Sequence, residues 1–304
     1  MAGSVSGGCV EADVFERAMQ VLDARKAVVA KYGIADELGF QVGLSCGGSI
    51  EVLIEPFNPD GAWETLCQAV EHQQPVAFAV GLAPAILLGR KLTVVEGSGI
   101  IGSIDPSLDN PIASEGRRLL QRGGTKVVNF PWLDGEGMVF LEAFQPSPSL
   151  FIVGATHTAI PLCRMATEVG FRVTVIDARS MLATQERFPD AAELIRAWPD
   201  EVLEKLPLGD YSFVVVLTHD PKFDVPTLAC ALRSKVCYIG VLGSRVTHVQ
   251  RKAQLCQQGF TDADVARIRS PIGLDIGSRT PEELAVAILA EMVAVRYGRA
   301  ENLL

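Results

Sequence analysis

Residues 151–179 read FIVGATHTAIPLCRMATEVGFRVTVIDAR, and the rest of the chain is organised around them. An apolar run ends at Gly154, a helical pattern follows, and a second apolar run ends in Asp177. Strand, tight turn, helix, strand and acid in this order open a dinucleotide-binding fold. Gly154 permits the turn, the helix offers N–H groups to an anion, and Asp177 can accept hydrogen bonds from a ribose. Thr156 replaces the usual second glycine, so a Cβ stands where the backbone commonly approaches a pyrophosphate.

The composition excludes several classes of protein. A chain of 304 residues with 48% hydrophobic residues can form one large domain or two ordinary ones. The 36 acidic residues outnumber the 27 basic ones, and the sequence has no basic arm, so we expect no nucleic-acid partner. No apolar segment has membrane-spanning length, and residues 1–14 lack a signal-peptide pattern. We therefore expect a cytoplasmic protein without a membrane partner.

The seven cysteines do not form a disulfide or zinc pattern. They are Cys9, Cys46, Cys67, Cys163, Cys230, Cys237 and Cys256. The odd count and the absence of C-x-x-C spacing predict reduced thiols. Cys163, Cys230 and Cys237 fall on predicted core faces, where a buried structural thiol is expected.

Two glycine-rich loops each carry a cysteine. Paired glycines precede Cys9, which lies just before a helical pattern, and Gly47 and Gly48 follow Cys46. A helix amino terminus lowers the pKa of a thiol, and flanking glycines leave its sulfur uncrowded. A shared thiol site is one interpretation. A structural Cys9 beside acidic Glu11, and a hairpin turn around Cys46, are the alternatives.

The sequence divides at residues 145–149, QPSPS, which break every periodicity. Residues 1–145 mix strands and helices without βα alternation, which predicts a smaller α+β domain. Residues 149–304 predict an α/β domain with a Rossmann-type parallel sheet.

Three predicted strands of the second domain end in polar motifs. Ligands of open α/β sheets bind beyond the carboxyl ends of strands, so these ends should converge on one crevice. His219 has a plainer alternative role, the capping of backbone groups. The candidate cofactor-binding residues at these ends are Gly154, Thr156, His157, Asp177, His219, Asp220, Gly243, Ser244 and Arg245.

The last helix has a clear start at Thr280-Pro281-Glu282-Glu283, which combines an N-cap, a proline at N1 and a capping-box glutamate. Its body, LAVAILAEMVAV, is apolar on nearly all sides. We expect this helix to be fully buried, in the core or at a subunit interface, and we expect a homodimer.

Several motifs together carry a family resemblance. They are GSVSGGCVEADV (3–14), GLSCGGSIEVLIEP (43–56), GATHTA (154–159), VIDAR (175–179), THDPKFD (218–224), GVLGSR (240–245) and SPIGLDIGSRTPEELAVAILAEMVAVR (270–296). Over nearly its whole length the chain closely resembles the XdhC/CoxI family, the molybdenum-cofactor insertion chaperones that serve xanthine dehydrogenase and related molybdoenzymes.

The resemblance implies a two-domain, homo-oligomeric chaperone. Members of the family bind the molybdenum cofactor (molybdopterin), shelter it during sulfuration and deliver it to the apo-molybdoenzyme; a cysteine desulfurase is a further implied partner. Cys9 and Cys46 match the two glycine-flanked cysteines of the family and are the candidate metal ligands. The family usually has a second glycine where this chain has Thr156, and it usually has a few dozen residues before the motif that begins here at Gly3. We therefore expect the first domain to lack its usual first strands.

Three functions stay open at this point. The first is a cofactor-binding chaperone rather than a catalyst, in which Arg245 and Arg279 bond to the phosphate of the cofactor. The second is an NAD(P)-dependent oxidoreductase, in which Asp177 favours NAD and His219 or His157 donates a proton. The third is sulfur transfer through a persulfide on one of the two loop cysteines.

Overall fold

The computed structural model describes residues 3–8, 10–33, 49–97, 99–133 and 135–299. The chain divides into two compact units, Met1–Pro146 and Ser147–Leu304, and each unit has its own hydrophobic clusters. Within the described ranges, every helix is too short or too polar to cross a membrane.

The amino-terminal unit is α+β, as predicted. Its described elements are α1 (Glu11–Ala24), β1 (Val28–Tyr32), β2 (Ile50–Ile54), α2 (Gly61–Glu71), β3 (Val76–Ala83), β4 (Lys91–Val95), β5 (Ile100–Gly102), α3 (Asp109–Arg122), β6 (Gly124–Trp132) and β7 (Gly135–Phe144). β1 and β2 pair antiparallel. The other strands form an antiparallel sheet with the order β5-β4-β3-β7-β6.

Helices cover both faces of the central strand β3. Ala77 and Ala79 pack in the cluster that contains residues of α3. Phe78 and Val80 pack instead with Leu66 of α2. Successive residues of a strand point to opposite faces of the sheet. The uninterrupted apolar run of β3 therefore reflects burial on both sides.

The carboxy-terminal unit contains the predicted Rossmann-type sheet. Its elements are β8 (Ser149–Val153), α4 (Ala159–Glu168), β9 (Arg172–Ile176), β10 (Glu193–Ile195), α5 (Pro199–Leu203), β11 (Ser212–Val216), α6 (Pro221–Arg233), β12 (Tyr238–Val241), α7 (Arg245–Gln257), α8 (Asp262–Val265), β13 (Ile268–Arg269) and α9 (Pro281–Arg296). The strand order is β10-β9-β8-β11-β12-β13, and all pairs are parallel.

Two hydrophobic clusters lie on opposite faces of this sheet. In β8, Leu150 and Ile152 point to the face that α4 and α9 cover. Phe151 and Val153 point to the face that α6 covers. Parallel strands buried on both faces read as continuous hydrophobic runs, which is why the sequence marked β8 and β11 so clearly.

The start of α9 confirms the predicted capping box. Thr280 accepts a hydrogen bond from the Glu283 amide, and the Glu283 carboxylate accepts one from the Thr280 amide at 3.1 Å. The core of this unit covers only one side of the helix, so full burial would need the predicted subunit interface. Ile288 and Met292 are buried on the sheet side, whereas Val286 is 46% exposed on the other side.

The cysteine expectations were correct for two of the three thiols. Cys163 and Cys230 are buried, as predicted, but Cys237 is exposed. The apolar run VCYIGVL suggested an inward-facing Cys237, but β12 begins only at Tyr238. Cys237 therefore precedes the strand, where the alternation of the sheet does not hold its side chain inside.

Candidate functional site

The crevice at the carboxyl ends of the strands lies where the direction of the strand order changes. β8 has β9 on one side and β11 on the other. The helices after β8 and β11, α4 and α6, pack on opposite faces of the sheet. The loops therefore diverge and leave a crevice between them, which is where ligands of open α/β sheets bind.

Gly154 makes the turn that ends β8. Its φ is 102°, a conformation that favours glycine, and the Thr156 amide donates to the Gly154 carbonyl at 2.9 Å. A Cβ at this position would lie 2.7 Å from Thr218 Cγ2 and 3.1 Å from the Thr218 amide nitrogen. Only glycine lets the β8 turn approach the end of β11 this closely.

The amino terminus of α4 faces the crevice without a side-chain cap. Thr158 occupies the N-cap position, and its side chain makes no capping hydrogen bond. The first N–H groups of a helix need partners from outside the helix, and together with the helix dipole they favour an anion. Nearby, Thr156 Oγ1 is buried and has no partner among the described residues, and His157 is exposed. These residues can bind an anionic group.

Asp177 is held by its own chain. Its Oδ1 accepts from the Arg179 amide at 2.8 Å and from Arg179 Nε at 2.9 Å. Its Oδ2 accepts from the Ala155 amide and from Arg179 Nη2, both at 2.7 Å. Burial raises the pKa of Asp177, but these hydrogen bonds outweigh burial and keep the pKa below its ordinary value. The four bonds fill the carboxylate, so the geometry does not support the predicted ribose contact.

Arg179 brings a cation to the edge of the crevice. Its side chain is 42% exposed although it pairs with Asp177. The guanidinium lies 5.9 Å from the ring centroid of Phe223, which in turn is 4.9 Å from the Trp198 ring. Sequence reasoning did not select Arg179, although its place two residues after Asp177 in the VIDAR motif was a usable signal.

The helix that follows β11, α6, differs from α4 because an acidic residue already caps its amino terminus. Asp220 is the N-cap of α6: it accepts from the Lys222 amide at 3.1 Å and pairs with Lys222 Nζ at 3.3 Å. His219 is exposed and has a φ of 59°. A carboxylate at the amino terminus of α6 repels a second anion, so an anion in the crevice favours α4.

The end of β12 contributes the third loop. Ser244 caps α7 by accepting from the Thr247 amide at 3.2 Å, and Arg245 is the exposed first residue of the helix. A Cβ on Gly243 would lie 2.6 Å from Nη1 of Arg251, so the loop requires glycine there as well. The predicted convergence is confirmed in the sheet order, since β8, β11 and β12 are neighbours.

A buried ion pair connects the loop after β11 with the loop after β12, and sequence reasoning missed it. Asp224 and Arg251, whose side chains are 0% and 2% exposed, bond to each other. Thr218 donates to the same carboxylate, and Arg251 donates to the Leu242 carbonyl at 3.0 Å. The sequence did contain a positional signal for burial. Asp224 and Arg251 each lie four residues before a buried leucine of the same helix.

The two loop cysteines lie outside the described residues. Cys9 and Cys46, with Gly47 and Gly48, therefore stay predictions as cofactor and metal ligands. In the described part of the chain, no group of three or more histidine, cysteine or acidic side chains is arranged to hold a metal.

The loop before α1 is built around Glu11. Its carboxylate accepts hydrogen bonds from four backbone amides and two serine hydroxyls between residues 4 and 10. The Ser6 amide is the largest contributor to a pKa of Glu11 far below its ordinary value.

Arg279, the remaining candidate for the phosphate, is exposed just before α9, and its amide donates to Glu283 Oε2 at 2.6 Å.

Two family models match the chain. The one described as the XdhC Rossmann domain matches residues 150–292. The one described as the XdhC and CoxI family matches residues 1–33.

Relatives and a solved structure span nearly the whole chain. A protein of Bacillus subtilis (strain 168) that is named as a probable subunit of xanthine dehydrogenase is 28% identical over 298 residues, 97% of this chain and 84% of the relative. "Molybdenum cofactor insertion chaperone PaoD" of Escherichia coli (strain K12) is 23% identical over 300 residues, 99% of this chain and 76% of the relative. A crystal structure described as a xanthine dehydrogenase from Bacillus halodurans has a TM-score of 0.72 and 27% identity, and covers 98% of this chain and 83% of its own.

Proposed function

Because the chain belongs to the XdhC and CoxI family, we propose that it binds the molybdenum cofactor, shelters it during sulfuration and delivers it to an enzyme of the xanthine dehydrogenase type. The names of two relatives, a probable component of xanthine dehydrogenase and a molybdenum cofactor insertion chaperone, support a role in the maturation of a molybdenum enzyme. The apo-enzyme is then the partner, and a cysteine desulfurase is the source of sulfur.

The uncapped amino terminus of α4 is the observation that carries the proposal. The cofactor has a phosphate group, and the amino terminus of α4, which has no side-chain cap, suits such a dianion. Arg179 and Arg245 are exposed beyond the carboxyl ends of β9 and β12, which have β8 and β11 between them, and a guanidinium makes strong charge-assisted bonds to a phosphate. Both guanidinium groups can reach solvent although the whole chain has a net charge of −9, and that of Arg179 is paired with Asp177.

The NAD(P)-dependent alternative receives no support from this geometry. In a dinucleotide site the acid after the second strand accepts hydrogen bonds from the ribose. Here Asp177 already accepts four hydrogen bonds from Arg179 and Ala155. A ribose would have to displace the Arg179 pair, so binding of a bare phosphate group is the simpler use of the crevice.

A charge change at His157 tests the phosphate position. His157 is exposed immediately before the N-cap of α4, so a substitution there should leave the fold intact. His157→Asp places a carboxylate against the phosphate, and His157→Asn is the neutral control of the same shape. Pterin and molybdenum that co-purify with the protein should fall about tenfold in the aspartate variant only. Equal retention in both variants would place the phosphate elsewhere.

The thiols are tested by serine variants. Cys9→Ser and Cys46→Ser should lower the retained molybdenum, because soft thiolates bind molybdenum and its sulfur ligands. Cys67→Ser and Cys256→Ser are matched controls, since both thiols are exposed but lack paired glycines. Parent-like molybdenum content in the first two variants would make both loop thiols structural.

We also propose that the chain forms a homodimer through the exposed side of α9. Val286 is 46% exposed there, and Ala290 one turn along is exposed as well. An apolar helix side of this kind is typical of an interface. Light scattering should give a dimer for the parent and a monomer for Val286→Lys; a parent that is monomeric at micromolar concentration would refute the interface.

A further inference from the structure

A cleft of about 1000 Å³ opens beside β12 and β13 in the carboxy-terminal unit. The segment 266–278, which contains the SPIGLDIGS motif, forms one wall. Leu284, Glu291 and Val295 of α9 line another. The volume suits a ligand of cofactor size, and of the lining residues only Arg245 has a role in the functions considered above.

Glu291 fixes the walls of the cleft to one another. It is the one acid in the apolar body of α9 and is 6% exposed. Its Oε2 accepts from the Tyr238 hydroxyl at 2.5 Å and from the Gly273 amide at 2.9 Å, while Arg269 Nη1 lies 3.7 Å from Oε1. One carboxylate therefore ties α9 to β12, to β13 and to the following loop. The cleft is preformed, which lowers the ordering cost of binding.

Gly273 brings the loop against the helix. Its φ is 88°, and a Cβ there would lie 3.0 Å from the Ile288 amide nitrogen and 3.1 Å from the Ala287 carbonyl carbon. Only glycine permits this approach. The backbone geometry of the motif therefore shapes the cleft.

The lining offers polar groups that the fold does not consume. Arg267 is occupied, because it donates to three backbone carbonyls. Arg269, in contrast, is 30% exposed and has only the 3.7 Å contact with Glu291 among its described ion pairs. Ser270 Oγ is buried in the wall and lacks a partner among the described residues. A buried hydroxyl without a partner costs about 1–3 kcal/mol, which a ligand atom can recover.

We propose that this cleft holds the pterin ring system of the bound cofactor, with Arg269 and Ser270 bonded to the edge of the ring. The proposal rests on the proposed function. A pterin edge presents alternating donors and acceptors; the guanidinium donates, and the serine hydroxyl does both. Arg245, which the proposed function assigns to the phosphate, lines the cleft and is the first residue of α7 after β12.

Neopterin is a fluorescent pterin that lacks the phosphate and the metal, so its binding tests the contribution of the ring alone. Its binding to the full chain is followed by fluorescence polarisation for the parent, Ser270→Leu and Arg269→Gln. Both variants should bind neopterin about tenfold more weakly than the parent, by loss of a hydrogen bond to the ring. Arg164→Gln, an exposed arginine of α4 outside the cleft, is the matched control and should bind like the parent. Circular dichroism checks that each variant is folded.

The outcomes separate the two proposals. If the parent binds neopterin and both variants bind it equally well, the cleft is not the ring site, while the proposed function stands. If the parent retains no pterin from cells and binds no neopterin, both proposals fail. Arg269→Gln keeps a polar side chain at a partly exposed position, so it remains informative if Ser270→Leu does not fold.

Discussion

Breaking the buried pair between Asp224 and Arg251 should cost the carboxy-terminal unit much of its stability. Both side chains are almost fully buried. Thr218 also donates to the carboxylate and Arg251 also donates to the Leu242 carbonyl, whereas Nε and Nη1 of Arg251 have no partner among the described residues. The substitution Arg251→Met keeps the length of the side chain but removes the charge. Asp224 then remains buried with Thr218 as its only described partner.

The size of the expected stability loss is set by the desolvation of the charge that remains, rather than by the attraction between the two charges. Removing one member of a buried ion pair typically costs about 3–5 kcal/mol, because the other charge is left uncompensated in a medium of low polarity. In the double variant Asp224→Leu/Arg251→Met both charges are gone, so the free energy of unfolding should fall by less than the sum of the single losses. A coupling of about 0.5–3 kcal/mol is expected for groups in direct contact.

Urea unfolding followed by tryptophan fluorescence measures this loss. Trp198 is the only tryptophan between residues 147 and 304. In a protein that also carries Trp63→Phe and Trp132→Phe, the tryptophan fluorescence therefore reports on the carboxy-terminal unit alone. Lys252→Met is the matched control. Its partner is Asp262 at 2.9 Å, and both side chains are largely exposed, so the loss should stay below about 1 kcal/mol.

Two results would refute this reasoning. If Arg251→Met loses no more stability than Lys252→Met, the buried charge is not compensated by Arg251. If the double variant loses the sum of the two single losses, the side chains are not coupled. Either result would also count against the pair as the link between Thr218 at the end of β11 and the Leu242 carbonyl at the end of β12.

Three further predictions follow from local features. Burial raises the pKa of Cys163 to about 12 and that of Cys230 to about 11, so at pH 9 iodoacetamide should label Cys67 far faster than either; equal rates would contradict the burial. Thr280→Ala removes the N-cap of α9 and should lower the free energy of unfolding by about 1 kcal/mol, whereas Thr280→Ser should not. Hydrogen bonds keep the folded pKa of Glu11 below its unfolded value. Its stabilisation is therefore present above the unfolded pKa and is lost only as the pH falls through the lower folded one. Hydrogen exchange of residues 4–10 should thus stay protected at pH 4 in the parent and be fast in Glu11→Gln, and unchanged protection in that variant would contradict the role of Glu11.

Features encoded by neighbouring residues were predictable from the sequence. The Gly154 turn, the strands on either side of it and the Thr280 capping box each depend on a few consecutive residues. Their rules are local: glycine reaches positive φ, and a threonine followed by a glutamate caps a helix. The convergence of three strand ends also followed, because the βαβ connection rules leave few arrangements of a parallel sheet.

Features that depend on contacts between distant residues were not predictable. Asp224 and Arg251 are separated by 27 positions, and Tyr238 and Glu291 by 53. A charge on an apolar helix face signals that a partner exists but not which residue it is. The role of Asp177 in binding stays a prediction; the sequence did not show that Arg179, two residues away, bonds to the carboxylate and would compete with a ligand for it.

Glu11 changes the physical argument for the cysteine loop. Glycine-flanked thiols attract interest because backbone N–H groups can stabilise a thiolate. The amides on either side of Cys9, those of Gly8 and Val10, both donate to Glu11 Oε2, at 2.9 and 3.2 Å. They are therefore committed to a carboxylate, and a negative charge close to the loop opposes a second one on sulfur. Activation of Cys9 then requires a cation, and a molybdenum centre that is bound directly by the thiolate supplies one. If Cys9 binds the metal, as we propose, we therefore expect its thiol to ionise only when the cargo binds.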